Sequence, residues 1–166
     1  MSLRALLPLL TLSILSTLPA CGGGGDGDTH ACTAMGCSSG AFVTTKGWSG
    51  LIQDDDPEIP VVVCLSQTCA QTKVSRKGGA LSCANMPASS YPYITCLSSD
   101  ADSLEILLQV KDDDPVVSGS GADLSVTIQR PNSALTQTKT APVSTTQPNG
   151  PSCEPTCRQS HATFAF

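Results

Sequence analysis

The stretch Leu124-Ser125-Val126-Thr127-Ile128-Gln129 decides the fold, because apolar and polar residues alternate along it without exception. A period of two residues is typical of a β-strand with one buried and one exposed face. Residues 104–111 show the same alternation, broken only by Leu107, and a short helix is the alternative there. These two segments are the most clearly predicted strands of the chain.

Short segments rich in valine, threonine and isoleucine make up most of the rest of the chain. Clusters of Gly, Pro, Asp and Ser separate them, which is typical of an all-β sandwich. Aromatic residues are few, so we expect a core built mainly from aliphatic side chains and reinforced by covalent cross-links. Further strands are predicted at residues 41–45, 48–52, 59–65, 72–75, 93–97, 143–147 and 161–166.

Eight of the nine cysteines form an even set: Cys32, Cys37, Cys64, Cys69, Cys83, Cys96, Cys153 and Cys157. In an exported chain, an even set predicts a disulfide framework, although the sequence alone leaves many pairings open. The short spacings favour four local bonds: Cys32–Cys37, Cys64–Cys69, Cys83–Cys96 and Cys153–Cys157. No Cys-x2-Cys pair occurs, which disfavours structural zinc and a thioredoxin-like redox site.

The N-terminus has the organisation of an export signal. Arg4 precedes a leucine-rich run that is too short to span a bilayer comfortably, which indicates a signal peptide over residues 1–20. The following Leu18-Pro19-Ala20-Cys21 resembles the lipobox of bacterial lipoproteins. That resemblance implies cleavage before Cys21 and attachment of lipid, including acyl groups such as palmitate, which hold the protein to a lipid bilayer. An ordinary cleaved leader is the alternative, but it needs a small residue where Leu18 stands.

A glycine tract follows Cys21. Glycine has no side chain to pack, so residues 21–31 are expected to form a lipidated flexible tether, followed by one β-sandwich domain over residues 32–166. A phosphate-binding loop is disfavoured because no Gly-Lys-Ser/Thr follows the glycines. Gly22 stands where many lipoproteins retained in the inner membrane have aspartate. This resemblance implies the cell envelope, with the outer membrane favoured over the inner membrane.

Two further segments resemble small uncharacterised disulfide-containing lipoproteins of myxobacteria and their relatives. One is Pro148-Asn149-Gly150-Pro151 followed by Cys153, Cys157 and a final short strand. The other is Val61-Val62-Val63-Cys64 with Cys69. The resemblance implies a single immunoglobulin-like or transthyretin-like antiparallel β-sandwich stapled by disulfides. It implies no activity.

The sequence Asp-Asp-Asp-Pro occurs twice. Its carboxylates are Asp54, Asp55 and Asp56 in the first run and Asp112, Asp113 and Asp114 in the second. Asp and Pro favour turns, so two solvated turns are the main interpretation, whether as diverged copies of one unit or as the same turn chemistry used twice. The alternative is a calcium site, because carboxylates are hard oxygen ligands, and it requires the two runs to converge.

Composition narrows the function classes. The chain is acidic, with a formal net charge of −5 and few aromatic residues, which disfavours a nucleic-acid partner. No Gly-x-Ser-x-Gly or Ser-x-x-Lys motif occurs. We expect His30 to be solvated on the tether, His161 to be a surface residue of an edge strand, and Lys73, Arg76 and Lys77 to be a solvated basic spot.

These observations predict a membrane-anchored, non-catalytic binding, adhesion or structural module. Its protein or glycan partner is not identified by the sequence. A calcium-dependent module and an extracytoplasmic enzyme are the alternatives. An exposed apolar or aromatic patch would indicate a binding module, whereas an enzyme needs a pocket with a perturbed titratable group.

Overall fold

A computed structural model describes residues 36–84, 90–150 and 153–166. The elements of this part are nine strands and two single-turn 3-10 helices, Trp48–Gly50 and Pro115–Val117, which confirms the all-β class. The strands are β1 Gly40–Lys46, β2 Ile59–Leu65, β3 Thr68–Lys77, β4 Ala80–Cys83, β5 Tyr93–Ser99, β6 Ser103–Gln109, β7 Gly121–Arg130, β8 Ser133–Thr146 and β9 Cys157–Ala165.

The strands form one sheet in the order β4-β3-β2-β7-β8-β9-β1-β6-β5. All neighbouring strands are antiparallel except β1 and β9, which are parallel. Strand β8 pairs with β7 up to Pro142 and with β9 from Val143 onward. This change of partner links the two halves of the sheet.

The two edge strands, β4 and β5, lie close to each other and nearly close the sheet into a barrel. The Cys83–Cys96 disulfide joins them, with a Cα–Cα distance of 6.2 Å. Ser99 Oγ on β5 also donates a hydrogen bond of 2.7 Å to the Leu81 carbonyl on β4. A covalent bond and a side-chain contact therefore bridge the seam.

The core lies between the inner faces of the two halves and is mainly aliphatic, as predicted. Leu124, Val126 and Ile128 are fully buried, so the alternation that predicted β7 gives its inner face directly. Trp48 and Phe164 are the fully buried aromatic residues of the core. The indole Nε1 of Trp48 donates to Thr45 Oγ1 at 2.9 Å, which satisfies a polar atom that burial would otherwise leave unpaired.

Most predicted strands are confirmed, with shifted ends. Residues 59–65 match β2 at both ends, and residues 41–45, 93–97, 104–111 and 124–129 correspond to β1, β5, β6 and β7. Residues 72–75, 143–147 and 161–166 fall on parts of the longer strands β3, β8 and β9. Strand β4 and the first ten residues of β8 were not predicted, because β4 is short and most of that part of β8 is exposed on both faces.

The strand predicted at residues 48–52 is wrong, because the chain turns into a 3-10 helix there. Gly47 has a φ of 91°, a left-handed conformation that ends β1. The carboxylate of Asp102 then accepts hydrogen bonds from the backbone N–H groups of Ser49 at 2.7 Å and Gly47 at 3.3 Å. These bonds, that from Ser49 first, hold the pKa of Asp102 below its usual value.

Two local disulfides, Cys64–Cys69 and Cys83–Cys96, are confirmed. The predicted bonds Cys32–Cys37 and Cys153–Cys157 are wrong, because Cys37 is bonded to Cys157. Strands β1 and β9 are parallel neighbours, so their beginnings lie side by side, and the Cα–Cα distance of this pair is 6.0 Å. Cys153 is disulfide-bonded too.

The predicted signal peptide, the lipidation site Cys21, the tether and Cys32 lie outside the described residues. Within the described part, no helix is long and apolar enough to cross a membrane.

Candidate functional site

The two Asp-Asp-Asp-Pro runs form similar turns in different surroundings. In the first, the Asp56 N–H donates to the Gln53 carbonyl at 3.3 Å. In the second, the Asp114 N–H donates to the Lys111 carbonyl at 3.0 Å. The first turn leads into β2, whereas the second leads from β6 into the 3-10 helix Pro115–Val117. The same turn chemistry therefore occurs twice, without a repeated strand–turn–strand unit.

The runs do not converge. Asp56 borders a depression at the start of β2, beside Ile59. Asp114 borders another depression beside Ser66 and Thr68, just past the other end of β2. The seven residues of β2 separate these places by about 20 Å at the usual rise per residue. The shared calcium site that the sequence suggested is therefore absent from this part of the chain.

Three carboxylates of these runs already accept hydrogen bonds from the backbone. Asp54 accepts from the N–H of Gly79 at 3.1 Å, and Asp56 accepts from that of Gln53 at 2.7 Å. Asp114 accepts from the N–H of Val116 at 3.0 Å and so caps its 3-10 helix. Across residues 36–84, 90–150 and 153–166, no three His, Cys, Asp or Glu residues are grouped to hold a metal ion.

The basic spot separates into individual contacts. Lys73 forms a 3.6 Å ion pair with Glu58, and both side chains are more than half exposed. The Arg76 guanidinium donates to the carbonyl of Ala101, in the turn between β5 and β6. Two of the three cations therefore have partners within the fold.

The outer face of β5, β6, β1 and β9 carries a group of aromatic side chains outside the core. In β1, Ala41, Val43 and Thr45 are buried, so Phe42 and Thr44 point outward. The register places Leu107 of β6 and His161 of β9 on either side of Phe42. We call the following set the aromatic face: Phe42, Tyr91, Tyr93, Thr95, Leu107, Gln109 and His161.

Ring contacts hold the apolar part of the aromatic face together. The rings of Phe42 and His161 stack with centroids 4.7 Å apart and an interplanar angle of 8°. Tyr91 and Tyr93 are 5.1 Å apart and tilted by 47°. Leu107 is only 4% exposed but lies outside the interior core cluster, so its outward-facing neighbours cover it.

Hydrogen bonds orient the polar side chains of this face. The Tyr93 hydroxyl donates to Gln109 Oε1, and Gln109 Nε2 donates to Thr95 Oγ1 at 3.4 Å. On β9, Gln159 Nε2 donates to the Ser38 carbonyl at 3.0 Å. Burial, followed by the neighbouring Tyr91, raises the pKa of Tyr93 above its usual value.

Gly40 leaves a gap between two of these amides. The register places it between Gln109 of β6 and Gln159 of β9, two residues before Phe42. Its φ of 147° disfavours a side chain, and a Cβ atom there would collide with the Leu108 carbonyl oxygen. Gln109 and Gln159 therefore flank a position without a side chain.

A shallow depression adjoins the stacked rings. It has a volume of about 330 Å³, and its lining includes Phe42, Thr44, Glu105, His161 and Thr163. Small-molecule sites range from about 300 to 1,000 Å³, so this depression is at the lower end of that range. Stacking surfaces and hydroxyls thus lie together at one place, with the carboxylate of Glu105 beside them.

The sequence prediction for His161 is half right. The side chain is exposed, but β9 lies between β8 and β1 rather than at an edge.

In the part of β8 that is not paired with β9, the side chains of Lys139 and Gln137 donate to carbonyls of β9. The sequence did not predict the aromatic face. Leu107, the one apolar residue on the outward side of its alternating strand, could have indicated that this side is covered.

No protein-family model matches this chain, and no curated protein or solved structure matches it either.

Proposed function

We propose that this protein is a lipid-anchored lipoprotein of the cell envelope, that its β-domain is a non-catalytic binding module, and that the aromatic face is its binding surface. One observation carries the proposal. Trp48, Phe164 and Phe166 pack in or against the core, whereas every other aromatic residue of the sequence, Phe42, Tyr91 and Tyr93, belongs to this face.

The aromatic side chains outside the core are grouped on one face, and this grouping indicates a binding surface. Single exposed apolar residues are normal on protein surfaces, but grouped ones mark interaction sites. Tyr91, at 49% exposure, is one of the two large apolar side chains that are most exposed in the described part. Oriented amides and hydroxyls beside such rings supply the fixed polar groups that give a binding site its specificity.

The surroundings of His161 support binding rather than turnover. Its ring stacks on Phe42, and among the described residues it forms no hydrogen bond with a hydroxyl or carboxylate that could complete a nucleophile–base pair. A general base needs such a partner within reach.

The proposal also includes the type of β-sandwich to which the domain belongs. The two halves of the sheet, joined through β8 and sharing one aliphatic core, support an immunoglobulin-like or transthyretin-like sandwich. The lipobox supports anchoring through Cys21, with residues 21–31 as the tether and the outer membrane as the favoured location.

The anchor is tested by metabolic labelling with a fatty-acid analogue, followed by separation of the inner and outer membranes. We expect label on the wild-type protein in the outer-membrane fraction and no label on Cys21→Ala. Ser2→Ala, a change within the leader, is the matched control and should keep the label. An unlabelled wild-type protein free in the periplasm would contradict the anchor.

The binding surface is tested by modifying histidines with diethylpyrocarbonate, on intact cells and on the purified lipoprotein. His30 is the only other histidine and provides an internal reference within the same chain. If the aromatic face is occupied in the cell, the His161-to-His30 modification ratio should be lower on cells than in purified protein. Equal ratios would refute the face as a binding surface.

A further inference from the structure

We infer that the ligand of the aromatic face is a neutral oligosaccharide, an inference that rests on the proposed function. Three properties of the face favour such a ligand: its charge, the spacing of its rings and the chemistry of its polar groups.

The aromatic face is nearly free of charge in an acidic protein. The ionisable side chains that line the depression beside the stacked rings are Glu105 and His161. Lys46 lies at the far end of β1, and the Lys139 ammonium is hydrogen-bonded to the carbonyl of Thr163. A polyanion would require a cluster of cations, and a polycation would require a cluster of carboxylates. The face offers neither, so its charge is complementary to an uncharged ligand.

The ring spacing fits a ligand longer than one sugar ring. Tyr93 and Phe42 lie on strands separated by β6, and their positions differ by two residues along the sheet. Strand spacing and rise place the Cα atoms of these two residues about 12 Å apart. The Tyr93 ring can offer flat apolar surface to the C–H face of a sugar. The Phe42 ring, which stacks on His161, offers the apolar surface that this contact leaves uncovered, and Leu107 fills the space between their strands.

The polar groups match hydroxyls, which both donate and accept hydrogen bonds. Gln109 uses one acceptor site for Tyr93 and one N–H for Thr95, so each end of its amide keeps one further position. Gln159 uses one N–H for the Ser38 carbonyl, and its Oε1 accepts from Thr146 Oγ1 at 3.5 Å, so each end of this amide also keeps one further position. These internal bonds fix both amides in advance, which lowers the ordering cost of binding.

The inference is tested with the full-length mature lipoprotein in detergent on an array of neutral gluco-, galacto-, manno- and N-acetylglucosamine oligosaccharides. Sulfated and uronic-acid oligosaccharides are the charged probes. Hits are titrated calorimetrically. We expect binding to at least one neutral oligosaccharide and none to the charged probes.

The variants Phe42→Ala and Tyr93→Ala should each weaken that binding about tenfold or more. Tyr93→Phe keeps the ring and should lose less binding affinity. His161→Ala changes an exposed side chain of the face, so it should weaken binding without misfolding the domain. Thr138→Ala, exposed on β8, is the matched control and should bind like the wild type. Circular dichroism checks that each variant is folded.

Two results would overturn the inference: no binding to any neutral oligosaccharide, or binding that none of the face variants weakens. Protection of His161 on cells separates this failure from failure of the proposed function. If protection persists without oligosaccharide binding, the face binds another ligand class; if both are absent, the proposed function fails as well.

Discussion

The Cys37–Cys157 disulfide should contribute more to stability than any local disulfide of the domain. The perturbation is the double substitution Cys37→Ala/Cys157→Ala, with Cys64→Ala/Cys69→Ala as the matched control. Both are made in a Cys32→Ala/Cys153→Ala background, because the disulfide of Cys153 would otherwise keep nearly the same long loop closed in the unfolded chain. The first bond spans a sequence separation of 120 and the second a separation of 5. Each bond restricts the unfolded chain in proportion to the logarithm of its loop length.

The loop-entropy model gives about 5 kcal/mol for the Cys37–Cys157 bond and about 2 kcal/mol for the Cys64–Cys69 bond at 25 °C. A domain of ordinary stability has about 5–15 kcal/mol in total. Loss of the long-range bond should therefore leave the protein marginally stable, whereas loss of the hairpin bond should leave it folded.

Urea denaturation under non-reducing conditions, followed by Trp48 fluorescence, measures both differences. Trp48 is the single tryptophan and is fully buried, so its emission reports unfolding of the core. If the Cys37/Cys157 variant loses no more free energy of unfolding than the control, the reasoning is refuted.

Three other substitutions or mappings test separate parts of the structure. Asp102→Asn should reduce the loss of stability at acidic pH. The folded-state pKa of Asp102 is lowered, so its carboxylate stabilises the protein above the unfolded pKa, near 4, and this contribution is lost as pH falls through the folded pKa. Melting temperatures from pH 2 to 7 measure this, and unchanged acid sensitivity would contradict it. Gly40→Ala should lower the free energy of unfolding by about 1–3 kcal/mol, because its Cβ would collide with the backbone. Gly50→Ala, with open space around it, should lower it by less than about 1 kcal/mol. Equal denaturation midpoints of the two variants would contradict this prediction. Peptide mapping should find Cys153 joined to Cys32, the partner that remains if Cys21 carries lipid as proposed; a free Cys32 thiol would contradict this prediction.

Local patterns made much of the fold predictable. Residues 59–65 and 124–129 are strands whose buried side chains repeat every second residue, so the sequence contains both the element and its inner face. The segment at Trp48 could not be predicted in this way, because Asp102, far along the chain, supplies the hydrogen bonds that stabilise its turn.

Long-range neighbours account for what the sequence could not predict. The bond between Cys37 and Cys157 depends on the parallel pairing of β1 and β9, which no local spacing indicates. The aromatic face has the same origin: Phe42, Leu107 and His161 come from three strands that are distant in the chain and meet only through the register of the sheet.

The most direct test of the central claim is NMR mapping of the full-length purified protein with the neutral oligosaccharide that binds best. The account predicts that the largest chemical-shift changes fall on Phe42, Tyr93, Gln109 and His161, because these residues form the aromatic face. Changes confined to the outer faces of β2, β3 and β4, or to the two aspartate turns, would contradict it.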